Sequence, residues 1–108
     1  MASRPKRPER PRTLARRELL ASEKLFRARS KLLDLEPGGT EANPLAVATA
    51  SVIEPKARSV LCPRCGEVFD VESHDAEVGE HGRLRRVALR CRQCGTTRSL
   101  WFRVTAPS

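Results

Sequence analysis

Apolar positions along this chain follow two rhythms. Over residues 13–35 (TLARRELLASEKLFRARSKLLDL) the spacing is helical. Leu14, Leu25 and Leu32 fall on one line of a helical wheel; Leu19, Phe26 and Leu33, each seven apart, fall on a second line beside it. Arg16, Arg17, Lys24, Arg27 and Lys31 gather on roughly the opposite side. The pattern predicts an amphipathic helix, capped by Thr13 and stopped by Glu36-Pro37-Gly38-Gly39. The heptad spacing lasts about three turns and admits a paired helix. The stripe needs cover, from the rest of the chain or from a second copy.

From residue 67 the rhythm has period two. Glu67 to Glu72 alternates, with Phe69 and Val71 on one face. Residues 73–83 (SHDAEVGEHGR) are polar and glycine-bearing and read as a loop. Leu84 to Arg90 reads as a second strand, with Val87 and Leu89 in phase with Cys91. Ser99 to Val104 reads as a third, placing Leu100, Phe102 and Val104 on one face and Trp101 and Arg103 on the other. Between helix and strands lies a connector, 37–59. Its first part, to Pro44, is turn-rich and expected to be exposed. Its second part, 45–53 (LAVATASVI), fits a strand that pairs with the sheet or covers its edge and is ended by Pro55.

Every cysteine falls in two matching turns, Cys62-Pro63-Arg64-Cys65-Gly66 and Cys91-Arg92-Gln93-Cys94-Gly95, with 25 residues between them. Two residues between cysteines let a tight turn aim both sulfurs at one ion, and the following glycine tolerates the left-handed backbone such a turn needs. The spacing predicts one structural Zn²⁺ held by Cys62, Cys65, Cys91 and Cys94. Four thiolates close the tetrahedral shell and leave no position for water or substrate, which argues against metal-dependent hydrolysis. No secretory h-region precedes the turns, so a reducing, cytoplasmic setting and metal ligation are expected ahead of disulfides. No run approaches the roughly 18 apolar residues of a membrane span. His74 and His81 fall in the polar loop and read as solvated, not as ligands or catalysts. There is no phosphate loop and no convincing nucleophile–base constellation, so neither an enzyme nor a small-molecule substrate is expected.

The turns resemble the knuckles of the zinc-ribbon superfamily, Cys-Pro-x-Cys-Gly at 62–66 being a typical form. The resemblance covers residues 60–104 and implies a fold and a metal but no single activity. An iron-binding redox protein of the rubredoxin type is a weaker alternative, because Arg64 and Arg92 inside the turns suit it poorly.

Charge adds the remaining clue. The formal net charge is +8; residues 1–36 carry 11 basic and 5 acidic side chains, 37–59 carry 2 and 2, and 60–108 carry 8 and 6. Four zinc-bound thiolates and one Zn²⁺ would bring the last segment near neutrality. Residues 1–12 (MASRPKRPERPR) read as a disordered basic tail. Within the cysteine-bearing segment all six acids precede residue 81 and seven of eight basic residues follow it. Either these halves neutralise each other across the sheet, or Arg86, Arg90 and Arg103 with Trp101 form a phosphate-and-stacking surface, joined by Arg16 and Arg17 of the helix.

The expected fold is a small α+β protein: an N-terminal amphipathic helix (13–36), a connector (37–59), then a zinc-bound antiparallel β ribbon (60–105). The leading expectation is a non-enzymatic zinc-stabilised module associated with nucleic acid or a nucleic-acid-bound complex. The alternative is a protein–protein adaptor that docks, or self-associates, through its helix. A membrane partner is not expected.

Overall fold

The computed structural model describes residues 10–105. It shows a small α+β chain: a long helix α1 (Pro11–Leu35), strand β1 (Leu45–Val47), a 3-10 turn (Ala50–Val52), a short helix α2 (Ile53–Arg58), then strands β2 (Phe69–Gly79), β3 (Gly82–Cys91) and β4 (Thr97–Val104). The strands form one open, mixed sheet in the order β1-β4-β3-β2, with β1 parallel to β4 and the other neighbours antiparallel.

α1 begins two residues ahead of the expected Thr13 cap. Arg10 is the extended N-cap residue and Pro11 opens the helix, where its missing N–H is not needed and its fixed φ suits the first turn. Proline therefore starts this helix rather than excluding it, and Pro11 and Arg12 leave the expected tail. The rest of that tail, residues 1–9, lies outside the described residues. α1 ends at Leu35, as the Glu36-Pro37-Gly38-Gly39 stop predicts.

The connector departs further from expectation. Only Leu45–Val47 is a strand; the expected strand to residue 53 gives way to a 3-10 turn and then to α2, with Pro55 inside the helix's first turn. Ile53 and Ala57 of α2 are fully buried, so this helix covers the sheet. Gly38 and Gly39 are buried too, against the expectation of an exposed loop. The Gly38 N–H donates to the Asn43 carbonyl at 2.7 Å and its carbonyl accepts from Trp101 N–H at 2.9 Å, lacing the loop to β4. A β-carbon at Gly39 would overlap the Leu33 carbonyl oxygen and come within 2.8 Å of Asp34 Cα, so glycine permits the close return of chain onto α1.

Residues 73–83 are not a loop. β2 runs to Gly79, and Gly79 pairs with Gly82 across a two-residue turn at Glu80 and His81, with Gly82 at φ +87°. An irregularity between Val71 and Ser73 shifts the register. The polar extension escapes a hydrophobic pattern because backbone pairing to β3 holds it, with little burial. Val78, for example, is 80% exposed.

The core matches the period-two reading. Phe69, Val87, Leu89, Leu100 and Phe102 are buried with Val47, Ile53, Ala57, Cys62 and Cys91, and Val71 and Val104 pack against them. Trp101 is half-buried and Arg103 exposed, on the other face.

Leu89→Ala should cost about 2–5 kcal/mol, because it empties a fully buried position between three strands. Val78→Ala on the hairpin extension should stay within about 0.5 kcal/mol. Denaturant midpoints of the metal-loaded variants test the contrast.

Candidate metal centre

Two turns of the same construction meet at one end of the sheet. In the first, the Cys62 N–H donates to the Glu67 carbonyl at 2.8 Å and the Gly66 N–H to the Cys62 carbonyl at 2.8 Å. In the second, the Cys91 N–H donates to the Thr96 carbonyl at 2.8 Å and the Gly95 N–H to the Cys91 carbonyl at 3.0 Å. Gly66 and Gly95 take φ of +78° and +76°, the left-handed conformation that reverses the chain after each second cysteine. A bridge between Leu61 and Val68 closes the first turn, and β3 running into β4 closes the second. Phe69 pairs with Cys91, which sets the turns side by side.

The consequence is a cluster of Cys62, Cys65, Cys91 and Cys94 whose sulfurs all lie within 4.8 Å of one another. Cys62 Sγ stands 3.6 Å from Cys94 Sγ, and Cys65 Sγ stands 3.3 Å from Cys91 Sγ. A tetrahedron with metal–sulfur arms of about 2.3 Å has edges of roughly 3.8 Å, so these sulfurs already stand near the corners one ion requires. Each turn supplies one buried cysteine, Cys62 or Cys91, and one exposed cysteine, Cys65 or Cys94. The buried pair also belongs to the hydrophobic core, so the cluster and the core share residues.

Thiol acidities record the crowding. The Cys94 thiol is lowered to about 6, first by the Thr96 hydroxyl at 3.0 Å and the Thr96 backbone, with burial opposing. The Glu67 backbone works to lower the Cys65 thiol, but its contacts with Cys91, Cys94 and Cys62, together with burial, push it up to about 12. Thiolate is the form that binds a metal, so metal binding at such a cluster releases protons and weakens as pH falls.

The other sequence candidates lie apart from the sulfurs. Neither His74 nor His81 belongs to the cluster. His74 sits opposite Val87 on β2, and His81 is at the hairpin tip, where its carbonyl accepts from Arg103 at 2.7 Å. Arg86 lies 3.6 Å from Glu77 and its Nε donates to the Ser99 hydroxyl at 3.3 Å. Arg90 lies 3.4 Å from Glu72. Arg86 and Trp101 border one shallow groove, while Arg16 and Arg17 stand on the exposed N-terminal half of α1. The expected phosphate-and-stacking surface is therefore crossed by acids: Arg86 and Arg90 each meet a glutamate of β2.

Sequence reasoning missed the latch between α1 and the first cysteine turn. Arg64 lies 2.6 Å from Glu23, and its guanidinium stacks 3.9 Å above the Phe26 ring. The Arg64 hydrogen bond lowers the Glu23 carboxyl, and the Glu23 hydrogen bond raises the Arg64 guanidinium, burial opposing. At the other end of α1, Asp34 lies 3.0 Å from Arg98, whose side chain is only 10% exposed. Phe26 on the second helical line was the one available signal; partners 41 and 64 residues apart leave no trace in local spacing.

No family model, curated protein or solved structure matches this chain. No helix among the described residues is long and apolar enough to cross a membrane.

Cys62→Ser and Cys94→Ser should each lose tight metal binding and the folded far-UV spectrum, because metal binding and folding of such sites are coupled. Full metal content with an intact spectrum in either variant would remove that residue from the ligand set. Arg64→Ala should leave metal content unchanged and speed amide exchange around Glu23 and Phe26; unchanged exchange there would show that the latch does not hold α1.

Proposed function

We propose that this chain is a non-enzymatic, zinc-stabilised binding module of the zinc-ribbon kind, whose working surface is α1. Zinc is favoured by the all-sulfur tetrahedral donor set, and the closed shell suits a structural metal with no reacting position. The resemblance of both turns to zinc-ribbon knuckles supports the same reading.

The observation that carries the choice of surface is the exposure of α1. No residue of this 25-residue helix is buried. Leu14, Leu25 and Leu32 are 46%, 50% and 62% exposed, whereas Glu23, Phe26, Ser30 and Leu33 are half-buried. The two apolar lines read from the sequence lie roughly 100° apart around the helix. On the second, Phe26 and Leu33 are half-buried while Leu19 is 63% exposed; on the first, Leu14, Leu25 and Leu32 are all exposed. Exposed apolar rows of this length on small proteins mark docking surfaces.

Association with nucleic acid is a second reading, favoured by the net charge of +8. Acids engage Arg86, Arg90 and Arg98 of the sheet, so on this reading the attraction comes mainly from the N-terminal third.

Elemental analysis should find one zinc per chain; iron in its place would favour a redox protein. A displayed library of helical peptides panned against the zinc-loaded protein should yield binders that are lost with the double variant Leu25→Asp/Leu32→Asp and kept with Arg86→Ala/Trp101→Ala. The working surface would move to the sheet if a single-stranded oligonucleotide bound instead and the second pair of substitutions, not the first, abolished it.

A further inference from the structure

Resting on α1 as the docking surface, we infer its occupant: an amphipathic helix of another protein whose positions beside the apolar seam are acidic. The seam is defined by spacing. Leu14, Ala21, Ala28 and Leu35 are seven apart, and Glu18, Leu25 and Leu32, also seven apart, fall between them. This alternation of three and four residues makes a row two positions wide, the form that packs against one helix by knobs into holes. Its exposed leucines extend from Leu14 to Leu35, the last 77% exposed. That span of 21 residues is about 32 Å of helix, three full heptads.

The rim of the seam gives the sign of the partner. Lys24 and Lys31 immediately precede Leu25 and Leu32 and edge the seam, in the same heptad position as Arg17. Both lysines are exposed, and no ion pair engages either among the described residues. Arg29 edges the other side. In a heptad pair these edge positions face their counterparts on the neighbouring helix and set partner choice.

A second copy of this chain fits poorly. Antiparallel pairing would bring the Arg17–Lys24–Lys31 row against itself, and parallel pairing would set Lys24 against the other copy's Arg29. A partner with glutamate or aspartate at those edges turns each repulsion into attraction. Glu18 within the seam adds register, because a polar residue at one seam position favours the alignment that gives it a polar partner. An anionic membrane surface matches the charge, but α1 offers it no free aromatic anchor, because its one aromatic residue, Phe26, is taken by Arg64.

The test uses the zinc-loaded chain and two designed four-heptad peptides with Leu along the seam, one with Glu and the other with Lys at the edge positions. Isothermal titration at low salt should show the Glu peptide binding at least tenfold more tightly than the Lys peptide. Lys24→Glu/Lys31→Glu should reverse that order, and Leu25→Asp/Leu32→Asp should abolish binding with zinc content unchanged. Equal affinity for both peptides would overturn the acidic partner. So would tighter engagement of phosphatidylglycerol vesicles, or a chain that forms dimers at micromolar concentration by sedimentation, when lost with Leu25→Asp/Leu32→Asp; α1 would remain the docking surface. If that double variant altered none of these associations, the docking surface itself would be wrong.

Discussion

The structure depends on bringing four sulfurs to one point. Two chain reversals of identical hydrogen-bond pattern do this, and what they hold together is more than the cluster. Cys62 and Cys91 are core residues, packed with Phe69, Val87 and Leu89, so two corners of the cysteine cluster are also the end of the hydrophobic core. The sheet is open and covered on its apolar face by little more than the two turns of α2. Such a core is thin for a domain of this size, and small domains generally need a metal or disulfide staple. A metal cross-link at the core's edge, joining the segment before β2 to the β3–β4 reversal, would supply what apolar burial alone does not. The sulfurs lie within 4.8 Å of one another, near the spacing that one tetrahedral ion requires.

Electrostatics shape the sheet in a second way. Asp70 meets Arg92, Glu72 meets Arg90 and Glu77 meets Arg86, each pair joining β2 to β3 or the turn after it. The Arg92 hydrogen bond holds the Asp70 carboxyl below its ordinary range. Exposed pairs of this kind contribute little to stability individually. Their larger effect is to cancel the field of the arginines. The segregation of acids before residue 81 and bases after it is thus the linear trace of two strands that lie side by side. The chain's positive charge is left concentrated ahead of the sheet.

The metal centre was legible in the sequence because its determinants are local: two residues between cysteines and a glycine after each pair. The inward phase of Phe69, Val87, Leu89, Leu100 and Phe102 was legible because a half-buried strand alternates. The polar half of β2 was not, since a hairpin arm held by backbone pairing needs no apolar rhythm. α2 was hidden by Pro55, which reads as a stop but is tolerated in a helix's first turn. The Arg64–Glu23 and Arg98–Asp34 contacts were beyond reach, because they depend on where α1 returns after the Gly38–Gly39 loop. The helical wheel showed both apolar lines of α1, but only the fold shows that Phe26 and Leu33 are the positions on them that become half-buried.

That difference bears on why α1 is a helix at all. Helices in proteins owe most of their stability to packing an apolar face, because nucleation is costly and propensity alone is marginal. α1 is tied to the rest of the chain through Phe26, Leu33 and two charged contacts, and no residue in it is buried. Its exposed leucines bury only part of their surface in the isolated chain. A second helix laid along that seam would stabilise α1 as well as occupy it, so binding and helix order would be thermodynamically linked. The latch at Arg64 joins that helix to a cysteine turn, so a metal held there would also fix the orientation of α1.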